Sequence, residues 1–279
     1  MSNDGVFFAD RSERGKLRFT GPQRAWFLHQ VLTQALEDMA PGEARDAAMI
    51  TPHGRMIGYL EVLARDDSLL AHFEPELREV LPEAVGRYVF ATRVEISDVS
   101  DEMGLVLVGG PEHTAAHPPG AVAHPTRALG VPAAYLWVPR AEREAAIDHL
   151  AAAGGRSVDE SELEAVRVAH GVPRWGRDMD ARSLPQEVGI EEVAVHYDKG
   201  CYLGQEAMAK IHFRGKVNRR LRRLEAAGAL RPGSEVVLGE RVVGRVTSAA
   251  NGRALAVLRH TVEAGAVVVA GGVEATVVG

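Results

Sequence analysis

Polar and apolar residues alternate through Lys16-Leu17-Arg18-Phe19-Thr20, the period of a strand with one buried face. After the turn residues Gly21-Pro22, Ala25, Leu28, Leu32 and Ala35 recur at spacings of three, four and three. That stripe predicts a helix ended by Met39-Ala40-Pro41-Gly42. Ala47 to Thr51 and Ile57 to Ala64 read as two strands joined by Pro52-His53-Gly54-Arg55, a hairpin. A strand at Ser68 to Phe73, a helix carrying Leu77, Val80, Leu81 and Val85, and strands at Tyr88 to Ile96 and Met103 to Val108 follow. Pro111 to Pro119 reads as a loop, and further strands are predicted at Ala121 to His124 and Ala133 to Val138. Pro139 opens a helix that Gly154-Gly155 stops. Ser161-Glu162-Leu163-Glu164 fits a capping box, and the helix it opens ends at Gly171 and Pro173.

The pattern then changes twice. Arg174 to Ile190 has no clear period and is rich in polar and turn residues, the kind of long connection that carries function. From Val217 onward short Val-rich strands take over: Leu221 to Ala226, Glu235 to Leu238, Arg241 to Ser248, Arg253 to Leu258 and Val267 to Val278. Gly and Asn-Gly turns separate them, which predicts a small C-terminal barrel or sandwich. Strand–helix–strand units mixed with hairpins make the larger part α+β, with the division expected between residues 1–216 and 217–279.

Composition narrows the chemistry. The 279 residues carry 32 Lys and Arg against 38 Asp and Glu, a net charge of −6, so bulk charge gives no affinity for nucleic acid. The single cysteine excludes an internal disulfide and a self-contained thiolate zinc or iron–sulfur site. Met1 to Val6 has no basic start or apolar run, and no window approaches the ~20 apolar residues of a membrane span. A reduced, cytoplasmic protein without membrane association is expected. Phosphate-loop, dinucleotide-binding and serine-esterase motifs are missing from the sequence, and His53, His170, His196 and His212 form no metal-ligand spacing, so no metal site is expected of them.

The one thiol stands in Asp198-Lys199-Gly200-Cys201-Tyr202-Leu203-Gly204-Gln205-Glu206. Gly200 and Gly204 permit unusual backbone angles, and Lys199 places positive charge two residues from the sulfur, which would lower a thiol's pKa. Behind it, seven of the fourteen residues from Lys210 to Arg223 are basic, either a solvated face or an anion site for carboxylates, phosphates or RNA backbone. Asp178, Asp180 and Glu187 either cap turns or orient a polar heterocycle. Trp175 either packs or stacks on a flat ligand.

Lys199 to Glu206, K-G-C-Y-L-G-Q-E, resembles the signature of the YgfZ family of folate-binding proteins, related to the aminomethyltransferase T-protein of the glycine cleavage system. Asp10-Arg11-Ser12, Lys16 to Pro22, Thr51 to Arg55, Arg167 to Pro173, Asp178, Pro185 to Gly189 and Gly244 to Ser248 follow the order of the same superfamily. The resemblance implies GcvT-like folate-binding domains built from ferredoxin-like α/β units, closed by a small C-terminal β-barrel around an opening for tetrahydrofolate. It also implies a role in the assembly or repair of iron–sulfur enzymes, including tRNA-modifying ones, with those enzymes as partners and tRNA a possible contact of Lys210 to Arg223.

On this resemblance Cys201 and Lys199 are the catalytic candidates. Tyr202, Gly204, Gln205, Glu206, Arg167, Asp178, Glu187 and Arg214 are the candidates for binding the folate. Departures from the T-protein pattern matter as much. Where aminomethyltransferases carry paired Asp after the hairpin glycines, this chain has Gly58-Tyr59, and where they carry Asp in the later motif it has Cys201. A tetrahydrofolate-dependent aminomethyl or one-carbon transferase is therefore the alternative to an accessory factor. The superfamily's R-x-E-x-G reads Arg167-Val168-Ala169-His170-Gly171 here, and a methyl group accepts no pterin N–H. Asp178, Glu187 and Glu206 are the substitutes the sequence offers.

Overall fold

A computed structural model describes residues 5–279, the Arg214 side chain excepted. Two five-stranded sheets and a closed barrel make up the molecule. The first sheet contains β2 (Gly15–Thr20), β3 (Ala44–Ile50), β4 (Met56–Ala64), β5 (Leu69–Phe73) and β6 (Glu95–Asp98), in the antiparallel order β3-β4-β5-β2-β6. The second contains β1 (Phe7–Asp10), β7 (Met103–Gly109), β8 (Val122–Pro125), β9 (Ala133–Pro139) and β10 (Arg156–Ser157), in the order β10-β1-β7-β9-β8, with only β1 and β10 parallel. Between their strands lie α1 (Arg24–Val31), α2 (Val80–Gly86) and α3 (Arg143–Ala152).

The C-terminal pattern closes as predicted. Strands β11 (Arg219–Glu225), β12 (Glu235–Leu238), β13 (Arg241–Ala250), β14 (Arg253–Arg259), β15 (Val267–Ala270) and β16 (Val273–Val278) form a barrel in the order β11-β14-β13-β12-β15-β16. Pairing of β11 with β16 removes the open edges. Its interior is aliphatic: Leu224, Val236, Val246, Leu258, Val268 and Val277 are buried together.

One long helix couples the parts. In α4 (Glu160–His170), Leu163 and Val166 join the core of the second sheet with Phe7, Leu105, Tyr135 and Trp137, while the helix packs on β13 and β14. The capping box stands two residues earlier than predicted. Asp159 accepts from the Glu162 amide and Glu162 accepts from the Asp159 amide, because the acid at 159 is free to take the extended angles of an N-cap.

Two other expectations are corrected. The first helix stops at Val31, not near Met39: Leu32 takes extended angles, buried Thr33 hydrogen-bonds the backbone of Ala48 on β3, and the chain beyond it continues through bends and turns. Tyr88 to Arg93 is no strand, and only Glu95–Asp98 pairs with β2. Two short helices, α5 (Glu191–Ala194) and α6 (Gln205–Arg214), follow the irregular segment; neither was expected.

Candidate functional site

The Cys201 motif is a loop pinned from beneath. Lys199 enters the gap left by the early end of α1, where its ammonium donates to the carbonyls of His29, Leu32 (2.6 Å) and Gln34 (2.8 Å). The same ammonium lies 4.7 Å from the centre of the Tyr202 ring. Burial pulls the Lys199 pKa down to about 7, and the three carbonyls and the ring work against that loss of charge. Lys199 thus spends its three donors on the main chain and makes no hydrogen bond to Cys201, whose thiol is exposed.

Gly204 fixes the other end of the loop. It sits at φ +78°, and an added Cβ would lie 2.4 Å from the Thr51 carbonyl, so this position admits no side chain without moving the β3–β4 turn. From that glycine α6 starts, with Met208 buried in the core of the first sheet and Glu206 exposed in its first turn. Gln205 donates to the Lys199 carbonyl at 3.3 Å, and Tyr202 is buried in the same core. Ala207, Met208 and Ile211, at spacings of one and three, are the sequence signal for the helix that Gly204 caps.

The remaining predicted residues serve different places. Arg167, buried in α4, donates from one terminal nitrogen to Asp178 (2.6 Å) and the Val172 carbonyl, from the other to Ser248 (2.7 Å) and Glu164. Asp178 also accepts from the Arg174 amide and from the hydroxyls of Thr247 and Ser248 on β13. Both oxygens of Asp178 are therefore committed to protein donors, and the pair fastens the irregular segment and α4 to the barrel. Glu187 accepts from the Leu184 amide (3.1 Å) and from Arg55 (3.2 Å). The Arg214 side chain lies outside the described residues.

Between the two sheets and α4 lies a cavity of about 230 Å³. Tyr59, Tyr135 and Trp175 supply its aromatic surface, and Leu107, Leu129 and Val172 part of its apolar remainder. Of the predicted ligand residues only Arg167 lines it; Cys201, Lys199, Tyr202, Gly204, Gln205 and Glu206 do not. Its charges sort into two sets. Arg11, Arg14 and Arg174 are engaged with Glu74, and Arg174 also with Glu160 and Glu164. Among the described residues, Glu61 touches no Arg or Lys, and Arg127 pairs with no acid. Glu61 is 6% exposed, whereas Arg127 is exposed, so an unpaired anion lies deep and an unpaired cation at the mouth.

Sequence reasoning passed over both. Glu61 is the only charged residue in Met56–Ala64, otherwise apolar apart from Gly58 and the Tyr59 hydroxyl, and that break in the pattern was the available signal. Arg127 lies in the Pro-flanked loop after β8 and carried no signal of its own. Beside Glu61, across the strand pair, stands Asp46, hydrogen-bonded by the Tyr59 hydroxyl at 2.8 Å. Burial, and then the Glu61 charge, raise the Asp46 pKa to about 7.

Comparison with known proteins gives four likenesses. Residues 218–278 match the model of the CAF17 C-terminal beta-barrel domain. A chloroplastic protein of Arabidopsis thaliana named as a transferase is 26% identical over 274 residues, covering 90% of this chain, and the chain spans 63% of that relative's length. An aminomethyltransferase of Rubrobacter xylanophilus is 25% identical over 268 residues, covering 88% of this chain and 71% of that one. In three dimensions the chain is similar to the glycine cleavage system aminomethyltransferase T from Bartonella henselae, with a TM-score of 0.90 at 14% identity over 99% of this chain and 86% of that one. Among the described residues no helix is long and apolar enough to cross a membrane. The chain therefore has the GcvT-like fold of the aminomethyltransferases, closed by a six-stranded barrel whose sequence is similar to the C-terminal barrel of CAF17.

Proposed function

We propose that this protein binds a reduced folate in the central cavity and acts, through the exposed Cys201, in the assembly or repair of iron–sulfur enzymes, tRNA-modifying ones among them. The carrying observation is the pair of unpartnered charges at the two depths of the cavity, Glu61 inside and Arg127 at the mouth. A pterin presents N–H donors at one end of a flat bicycle, and a folate ends in carboxylates at the other. Glu61 is placed to accept the first, the rings of Trp175, Tyr59 and Tyr135 to cover the bicycle, and Arg127 to meet the second. The cavity, at about 230 Å³, is smaller than the roughly 300 Å³ or more of a full ligand pocket, which suits a bound pteridine with its tail in solvent.

Ala169 at the superfamily's Glu position then needs no substitute from Asp178, both of whose oxygens are taken by protein donors, or from Glu187, which accepts from Leu184 and Arg55 and does not line the cavity. The sulfur lies outside the cavity, so the folate and the thiol act as separate features of one protein, the thiol offering one ligand or one nucleophile to a client. The test is complementation of cells lacking the protein, with the activity of a radical-type tRNA methylthiolation enzyme as readout. Glu61→Gln and Cys201→Ala variants are each expected to fail, and full activity with both would refute the reading.

Arg219 and Arg220 on β11 are exposed, and Arg219 faces Arg259 across the strand pair. This like-charged edge is the part of the basic run we assign to tRNA. Binding of tRNA that persisted after Arg219→Ala, Arg220→Ala and Arg259→Ala together would remove that assignment.

The Tyr59–Asp46 hydrogen bond favours a second reading, one-carbon transfer from an aminomethyl donor to tetrahydrofolate. Tyr59 lines the cavity where the T-protein acids are missing, and Asp46 reaches that position through the phenol. Formation of methylene-tetrahydrofolate by the wild type and not by Asp46→Asn would establish it.

A further inference from the structure

Behind Glu61 two histidines are fully buried. His72 of β5 and His124 of β8 approach with their Nε2 atoms 3.2 Å apart, and the Glu61 Oε2 atom lies 3.9 Å from the first and 3.6 Å from the second. Two imidazoles and a carboxylate at this spacing have the outline of a metal site. The hydrogen bonds on the far side of each ring exclude that reading.

A metal-bound imidazole gives its lone pair to the ion and carries its proton on the other nitrogen, which must then find an acceptor. Here both far nitrogens face donors. Arg14 Nε donates to His72 Nδ1 at 3.0 Å, and Trp137 Nε1 donates to His124 Nδ1 at 3.3 Å. Neither donor can act as an acceptor. With both far nitrogens accepting, each neutral ring carries its proton on Nε2, so the 3.2 Å contact between the rings sets two N–H donors face to face and neither ring accepts from the other. The arginine beside His72 also repels any cation. Burial, with the Arg14 charge next, holds the His72 pKa well below its ordinary value, so the ring stays neutral.

Two N–H groups pointing into one small space need an acceptor, and the carboxylate there is a fraction of an ångström beyond hydrogen-bond distance. We propose that His72 and His124 are paired N–H donors that hold the Glu61 carboxylate turned toward the cavity, making it a fixed acceptor for the ligand's N–H groups. The inference rests on the folate reading for its ligand and on the hydrogen bonds alone for its geometry. Glu61 is faced by Asp46 from β3, Tyr59 from its own strand, Arg14 from the turn into β2, His72 from β5, His124 from β8 and Tyr135 from β9.

The experiment has two arms. In ¹⁵N-histidine-labelled protein without ligand, both rings are expected as the Nε2–H tautomer from pH 5 to pH 8, with their signals unmoved by excess zinc. An Nδ1–H tautomer in either ring, or zinc shifting both, would overturn the proposal. In the second arm, binding of 5-formyltetrahydrofolate is measured in wild type, His124→Leu and His124→Gln. His124→Leu removes one donor to the carboxylate and should weaken binding about 10-fold. His124→Gln restores an N–H and should recover the affinity. An affinity identical in all three proteins refutes the donor role. Absence of folate binding refutes the folate reading, while the tautomer result still decides the hydrogen-bond assignment.

Discussion

Lys199 donates to the Leu32 carbonyl at 2.6 Å across 167 residues of chain, and Cys201, two residues further on, remains in solvent. The two conspicuous residues of one motif therefore do different work: the lysine holds the loop to the first sheet's periphery, and the cysteine is presented by it.

Their substitutions should separate accordingly. Lys199→Met leaves three carbonyls without their donor and should lower unfolding free energy by about 1–3 kcal/mol in a urea titration, the range for orphaned buried polar groups. Cys201→Ser changes an exposed atom and should stay within about 0.5 kcal/mol of wild type. Equal effects would mean that the thiol is structural.

Arg167 and Asp178 predict a second stability effect. Replacing Arg167 by Met leaves the buried Asp178 carboxylate without its countercharge, at a cost of about 3–5 kcal/mol. Because Ser248 and Thr247 of the barrel share the same acid, calorimetry should also show the barrel parting from the rest at lower temperature than in wild type. A single unshifted transition in Arg167→Met would contradict the clamp.

Asp46 sets a pH dependence whose sign is fixed. Its folded pKa is raised to about 7 from the unfolded value near 3.8, so between those values the folded state holds the proton more firmly. Stability from this group is therefore greatest on the acid side and falls as pH rises toward 7, by about 1.4 kcal/mol for each unit of displacement. Asp46→Asn should flatten that slope and gain relative to wild type at pH 7.5. Denaturation midpoints at pH 5 and 7.5 in both proteins check this.

The sequence carried the architecture wherever burial followed a regular period. The hairpin Ala44–Ile50 with Met56–Ala64 and four of the barrel strands were legible because alternation and Gly turns dictate them locally, whereas Val267 to Val278, read as one strand, is a hairpin of β15 and β16 turned at Gly271-Gly272. The early end of α1 was not, since its stripe continues through Leu32 and Ala35; the termination comes from Ala48 and Lys199, partners distant in sequence. The motif around Cys201 was legible as a motif, yet its lysine's direction depends on a gap formed 165 or more residues away. The cavity was least legible, because Arg11, Glu61, Arg127 and Trp175 come from four separated stretches and only folding brings them together.

The most direct measurement is calorimetric titration of 5-formyltetrahydrofolate into wild type, Glu61→Gln, Arg127→Ala and Cys201→Ala. The account predicts one saturable site, weakened roughly 10–100-fold by Glu61→Gln because a charged acceptor of N–H donors is lost. It predicts a smaller loss with Arg127→Ala at the exposed mouth and no change with Cys201→Ala, outside the cavity. Binding that is indifferent to Glu61→Gln and abolished by Cys201→Ala would contradict it.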